Sequence, residues 1–368
     1  MQLTSLIVSV FVVVLLVSGL YHWRALKAVR YERYFSEHAV FEGDTIEMVE
    51  VIANAKLLPL PWLRLESSIA AGLTFGNQSN LAIHTGDIYQ NHISLFYLKP
   101  YRQITRRHQV TCSQRGLYRL ESATMTTGDP LGLSTEVKQF PLGLELLVYP
   151  RILTLAELPL PNHSWLGELA VRRWIVEDPF LTAGIRNYRP GDPMGNINWK
   201  ATARTGELQV HKRDYTADHR LMICLNLEVS DSMWKAVTEP GRIELGIRYA
   251  ATVADHALNS GLAAGFLCNG CLVDGPKEPV RIEPQAASDR LELLLGTMAR
   301  LVMDRTASMT RLLEMELETG TTDTDYLIIS CHQGEKLQET VEQLRLNGNG
   351  VEWMEIPELA EEEMSNSQ

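Results

Sequence analysis

LMICLNL, Leu221–Leu227, reads as a continuous apolar run, and its reading decides the architecture of the C-terminal half. A strand apolar along its length must be covered on both faces, which is the condition of a central strand in a parallel sheet. Downstream the patterns alternate. Ile243, Ile247, Ala250, Ala254 and Leu258 recur at helical spacing and stop before Gly261. Ala263–Leu267 predicts a second strand, Leu291–Met303 a second helix and Tyr326–Ser330 a third strand. Lys336–Leu346 predicts a third helix and Val351–Ile356 a last strand. This βα order predicts a doubly wound α/β domain over 218–357, with helices on both faces. The tail, 358–368, is acidic and polar, the composition of a disordered segment.

Upstream, the chain changes character twice. Leu3–Leu20 is an uncharged apolar run long enough to span a bilayer, with Tyr21 and Trp23 as interfacial aromatics. No Lys or Arg precedes it, whereas Arg24, Lys27, Arg30 and Arg33 follow. A cleaved signal peptide carries its positive charge ahead of the apolar run, so a transmembrane anchor over 1–23 is expected instead. The positive-inside rule then places the bulk of the chain in the cytoplasm, as a single-pass protein of the inner membrane. The region 39–150 reads as β-rich. Thr45–Val51 alternates after the turn Glu42-Gly43-Asp44, and Arg115-Gly116-Leu117-Tyr118 and Gly128-Asp129-Pro130 are strand-and-turn punctuation. An immunoglobulin-like sandwich or partial barrel is expected there, followed by a linker over 151–217. The fold class is therefore α+β multidomain.

At 368 residues two or three domains are the expectation, and 45% hydrophobic with 21% charged residues is a globular composition. A net charge of −11 argues against a nucleic-acid partner, which needs clustered cations. Five cysteines spread over a long chain are not a disulfide framework.

The linker ends in Gly184–Arg204, GIRNYRPGDPMGNINWKATAR. Pro190-Gly191-Asp192 predicts a tight turn amid Arg186, Tyr188, Lys200 and Arg204, and Asn198-Trp199 adds side chains that can hydrogen-bond backbone or partner groups and a large apolar face. Arg186-x-Tyr188-x-Pro190-Gly191-Asp192 followed by Asn198-Trp199-Lys200 and Arg204 resembles the signature of the domain-of-unknown-function family 58. Those are bacterial membrane-anchored proteins with a von Willebrand factor A-like C-terminal domain. The resemblance implies a non-enzymatic adaptor or scaffold, paired with a MoxR-type AAA+ ATPase. Within the chain the signature reads either as a clasp between domains or as a recognition surface, Arg, Tyr and Trp being favoured interface anchors.

In a von Willebrand factor A-like domain, the loop after the first α/β strand carries Asp-x-Ser-x-Ser, whose oxygens hold a divalent cation. Here the matching residues are Asn226, Glu228 and Ser230, with Asp231 beyond, and the second loop reads Cys331-His332-Gln333-Gly334. Asn for Asp removes a charge and Glu for Ser lengthens a ligand, so a degenerate site without Mg²⁺ is expected. A cation-dependent adhesion receptor is the alternative. The rim Asn226–Ser232 and Ser330–Gly334 is an expected protein contact by the switch-point rule. Cys268-Asn269-Gly270-Cys271 predicts a two-residue hairpin with the thiols as cross-strand neighbours. A thiol-redox enzyme using Cys268 and Cys271 is the further alternative. Ser230, His211, His332, Asp192 and Asp255 form no recognised nucleophile motif, and no catalytic residue or cofactor is expected.

Overall fold

The computed structural model describes residues 2–76, 81–85, 89–159, 177–188, 197–215, 220–230 and 237–358. The chain forms two compact units that meet in sequence at Arg151 and Ile152.

In the first unit, α1 (Gln2–Arg24) leads into ten strands among the described residues. These are β1 (Val29–Phe35), β2 (Ala39–Phe41), β3 (Thr45–Asn54), β4 (Leu60–Ala70) and β5 (Leu73–Phe75), then β6 (Leu81–Thr85), β7 (Tyr89–Leu98), β8 (Gln103–Cys112), β9 (Gly116–Gly128) and β10 (Thr135–Tyr149). One sheet runs β1-β3-β8-β5 and the other β2-β10-β9-β4-β7-β6. Alternate residues of both turn inward: Ile46, Met48, Val110, Leu120 and Leu146 share one core cluster, and Ile52, Leu63, Leu98 and Met125 another. The sandwich begins at Val29, ahead of the expected boundary at Ala39, because Val29 and Phe35 are buried in these cores.

The two turn motifs act as turns. Asp129 accepts from the Leu131 and Ser134 backbone N–H groups, and Tyr118 donates to the Gln114 carbonyl. Along α1 the large residues from Leu3 to Leu20 are exposed except the half-buried Val14, while Tyr21, Ala25 and Leu26 are buried against the sandwich. By length and composition this helix suffices to cross a membrane.

The second unit opens with β11 (Glu177–Asn187), α2 (Trp199–Thr205) and β12 (Gln209–Tyr215), β11 and β12 forming an antiparallel ribbon. It continues through β13 (Arg220–Leu225), α3 (Pro240–Asn259), β14 (Ala263–Cys268), β15 (Cys271–Leu272), β16 (Val280–Gln285), α4 (Arg290–Ala299) and β17 (Leu301–Val302). The last elements are α5 (Met309–Glu318), β18 (Thr324–Ser330), α6 (Glu335–Leu346) and β19 (Gly350–Glu355). The main sheet runs β16-β14-β13-β18-β19, with β13 parallel to both neighbours and β16 antiparallel at one edge. Met222, Cys224, Tyr326 and Ile328 face α5 and α6. On the other face Leu225 and Ile356 lie against Gly246 of α3, where an added Cβ would come within 2.5 Å of Ile356. The sheet is therefore covered on both sides, as the apolar run at Leu221–Leu227 demands.

Three features depart from expectation. The helix expected to reach Met303 ends at Ala299, and Leu301–Val302 pairs instead with Cys271–Leu272. β16 and α5 stand outside the expected element order, although α5 buries Met309, Leu312 and Leu313 at helical spacing and β16 alternates inward and outward. They are held by Arg281 of β16, whose Nε donates to Glu316 of α5 (2.5 Å), while the Tyr326 hydroxyl donates to the same carboxylate (3.2 Å).

Candidate functional site

The parallel strands β13 and β18 end side by side, and the chain leaves them in opposite directions. This is the crevice where doubly wound sheets place ligands. Asn226 follows β13 and is fully buried. Its Nδ2 donates to Ser330 Oγ (3.0 Å), and its Oδ1 accepts from Asn269 Nδ2 (2.9 Å) and the Glu228 backbone N–H (3.1 Å). Asn269 Oδ1 accepts the Leu227 N–H (2.9 Å). Ser330 Oγ donates to the His332 carbonyl (2.6 Å) and accepts the His332 N–H (3.1 Å). Outside this amide lattice, Arg305 Nη1 donates to Glu228 Oε1 (2.6 Å). Both lone pairs of the Asn226 oxygen are taken and the Glu228 carboxylate already holds a cation, the guanidinium. A hard divalent ion would have to displace these partners to find oxygen ligands. Ser230 is half-buried, and Asp231 lies outside the described residues. Among the described residues no cluster of three His, Cys, Asp or Glu side chains is placed to hold a metal.

Cys268-Asn269-Gly270-Cys271 is not the expected hairpin. Neither Asn269 nor Gly270 has positive φ, and Cys271 pairs with Val302 rather than with β14. The physical reason lies in the crevice: Asn269 turns its amide inward to bind Asn226. Gly270 is needed for closeness, since a Cβ there would lie 2.8 Å from Leu227 Cδ1 and 2.9 Å from the Val302 carbonyl. Gly270→Ala should therefore lower stability by about 1–3 kcal/mol, read as a melting shift of the full-length protein in detergent. Cys268 and Cys271 are buried and carry no disulfide.

The signature residues divide into structural and displayed groups. Asn198 is the N-cap of α2, its Oδ1 accepting the Ala201 N–H (2.9 Å), and Gly206 closes the helix at φ 74. The Thr202 hydroxyl accepts the Gln209 N–H, and the Tyr188 N–H donates to the Leu208 carbonyl. Arg186 pairs through its backbone with Val210. Pro190, Gly191 and Asp192 lie outside the described residues. Trp199 is 65% exposed, with Lys200 and Arg204 exposed one turn apart beside it.

A second polar cluster lies inside the sandwich and was not singled out in the sequence. Glu50 of β3 is ion-paired with Arg33 of β1, accepts the Tyr31 hydroxyl (3.0 Å) and meets His108 Nε2 (3.0 Å). Arg33 also donates to Ser67 Oγ (3.1 Å). Burial opposes ionisation of Glu50, but the His108 hydrogen bond and the Arg33 charge hold its pKa down to about 2. His92, stacked edge-on against Phe75, is pushed down to about 4, first by burial and then by the Arg33 charge. These side chains line a cavity of about 10 Å³, room for one water. The signal in the sequence was inward-facing charge at Arg33 and Glu50 on otherwise alternating strands.

An apolar N-terminal helix, a two-sheet β unit and an α/β unit with a filled switch-point crevice define a mixed α+β protein with a candidate membrane anchor. Residues 184–289 match the family described as protein of unknown function DUF58. It is 22% identical over 260 residues to the uncharacterized protein YeaD of Bacillus subtilis (strain 168), a match covering 71% of this chain. The match spans 61% of the length of that relative. Among solved structures, the CARDB domain of the PF1109 protein from Pyrococcus furiosus is 14% identical, with a TM-score of 0.20, over 33% of this chain and 91% of that one. The major pilin SpaD from Corynebacterium diphtheriae is 10% identical, with a TM-score of 0.25, over 30% of this chain and 33% of that one. Neither likeness carries a functional argument.

Proposed function

We propose that this protein is a membrane-anchored, non-enzymatic adaptor that docks a protein partner through the α2 surface of its DUF58 segment. The observation that carries the reading is Trp199. A large aromatic left 65% exposed beside Lys200 and Arg204, on a helix capped at both ends, has the make-up of an interface anchor. The α/β unit is read as von Willebrand factor A-like. Its sheet order with one antiparallel edge strand, and Asn226 where the cation loop would begin, support that reading. The saturated lattice around Asn226 and the Glu228–Arg305 pair favour a metal-free site over a cation-dependent receptor. The burial of Cys268 and Cys271 disfavours thiol-redox chemistry, which needs an accessible thiolate. The partner the family resemblance implies is a MoxR-type AAA+ ATPase. Arg24, Lys27 and Arg30 after the apolar run support a cytoplasmic bulk. Arg33 drops out of that count because it is buried in the sandwich.

Affinity purification of the full-length protein from detergent-solubilised membranes with ATP, read by mass spectrometry, tests the proposal. An AAA+ ATPase should be recovered. Trp199→Ala with Lys200→Ala should cut that recovery by about tenfold or more while moving stability by less than about 0.5 kcal/mol. Unchanged recovery with the double variant would remove α2 as the docking surface. Saturable Mg²⁺ binding to the wild type would revive the receptor reading.

A further inference from the structure

Where α1 meets the sandwich, an open cleft of about 440 Å³ is walled by Leu20, Leu57 and Leu58 and edged by Arg24, Lys27 and Lys56. We propose that this cleft binds one anionic glycerophospholipid, its phosphate on Arg24 and Lys27 and an acyl chain on Leu20 and Leu57. The inference rests on α1 being the membrane span.

Two independent features point to a lipid rather than to a soluble anion. The apolar wall is continuous with the exposed apolar surface of α1, so an acyl chain can pass from the bilayer into the cleft without crossing water. Leu57, in the β3–β4 connection, is 74% exposed and shares the cleft with Leu20, itself 46% exposed, so it extends the contiguous apolar surface that α1 presents. The cations then stand at the end of the apolar run, at the level of the headgroups. Their neighbours leave them available. Lys27 Nζ rests 4.2 Å over the Trp23 ring, which holds it at the interface without neutralising it. Lys56 Nζ donates to the Ala25 carbonyl (2.6 Å), a neutral acceptor. The nearby carboxylate of Glu136 accepts the Leu26 backbone N–H (2.8 Å). Among these residues three cations therefore face one carboxylate, and a phosphodiester would offset half of the remaining excess of positive charge.

The test uses full-length protein in nanodiscs of mixed phosphatidylglycerol and phosphatidylcholine, released into mild detergent and weighed by native mass spectrometry. The wild type should retain one phosphatidylglycerol per chain in preference to phosphatidylcholine. Arg24→Gln with Lys27→Gln, both at exposed positions, should insert into the nanodisc normally but lose that retention by about tenfold. Leu57→Ser, which leaves every cation in place, should lose it several-fold. Equal retention of the two lipids, or an unaltered double variant, would overturn the proposal. So would displacement of the lipid by soluble glycerol phosphate, because the acyl chain would then contribute nothing. Failure of the wild type to enter nanodiscs at all would instead overturn the membrane span, and with it the lipid site.

Discussion

Replacing Glu50 with alanine should destabilise the protein by about 3–5 kcal/mol, the cost of stranding a buried charge. Glu50 is 3% exposed and holds Arg33 and His108, themselves buried, between two sheets. Without the carboxylate, the Arg33 guanidinium keeps the neutral Ser67 hydroxyl as its hydrogen-bond acceptor. Arg33→Met combined with Glu50→Leu should recover most of the loss, since a fully apolar replacement strands no charge. Urea unfolding of the full-length protein in detergent, followed by tryptophan fluorescence, reads both. A Glu50→Ala change no larger than that of the exposed Glu121→Ala would sink the account.

The same cluster sets an acid sensitivity with a defined direction. His92 titrates near 4 in the folded state against 6.5 normally. Between those values the unfolded chain takes up a proton that the folded one refuses, so stability falls as pH drops from 6.5 towards 4. Glu50 titrates near 2 against 4.5, so its contribution is full above 4.5 and is lost as pH falls through 2. Each shift corresponds to roughly 3 kcal/mol, and the two windows adjoin. Stability should decline from about pH 6.5 downward, and His92→Gln should flatten the upper part of that decline. A profile flat from pH 7 to 4 in the wild type would contradict the burial of His92.

Asn269→Ala is expected to cost about 2–4 kcal/mol. The side chain answers the Leu227 N–H and one lone pair of Asn226, both buried, and alanine leaves them unmet. Asn269→Asp is the informative control. A carboxylate can still accept from Leu227 but cannot donate to Asn226, so it sets two buried oxygens against each other. It should cost at least as much as alanine, and the loss should ease at low pH as the acid protonates. Equal stability of all three proteins would mean that the lattice does not hold the crevice together.

Much of the α/β unit was legible because its elements are local. The run at Leu221–Leu227 and the spacing of Ile243 to Leu258 specify a buried strand and an amphipathic helix without reference to anything distant. Asn226, Glu228 and Ser230 follow β13, which ends at Leu225, two residues short of the apolar run that signals it. Asn269 was misread as a turn residue. Asn-Gly is a strong local turn signal, and only a partner 43 residues away gives its amide another task. Arg305 carries no local signal for the same reason, its carboxylate lying 77 positions upstream. In the sandwich, Glu50 meets His108 across 58 residues of chain.

By itself, then, the sequence determined what depends on period and composition: the apolar helix, the β-rich half, the alternating βα half and the family segment. The tertiary structure alone decided which polar side chains turn inward and what they meet there. Hydrophobic periodicity is written within one element and can be read from it. The desolvation of a charge depends on which other strand brings the compensating one, and that is settled only when the sheets close.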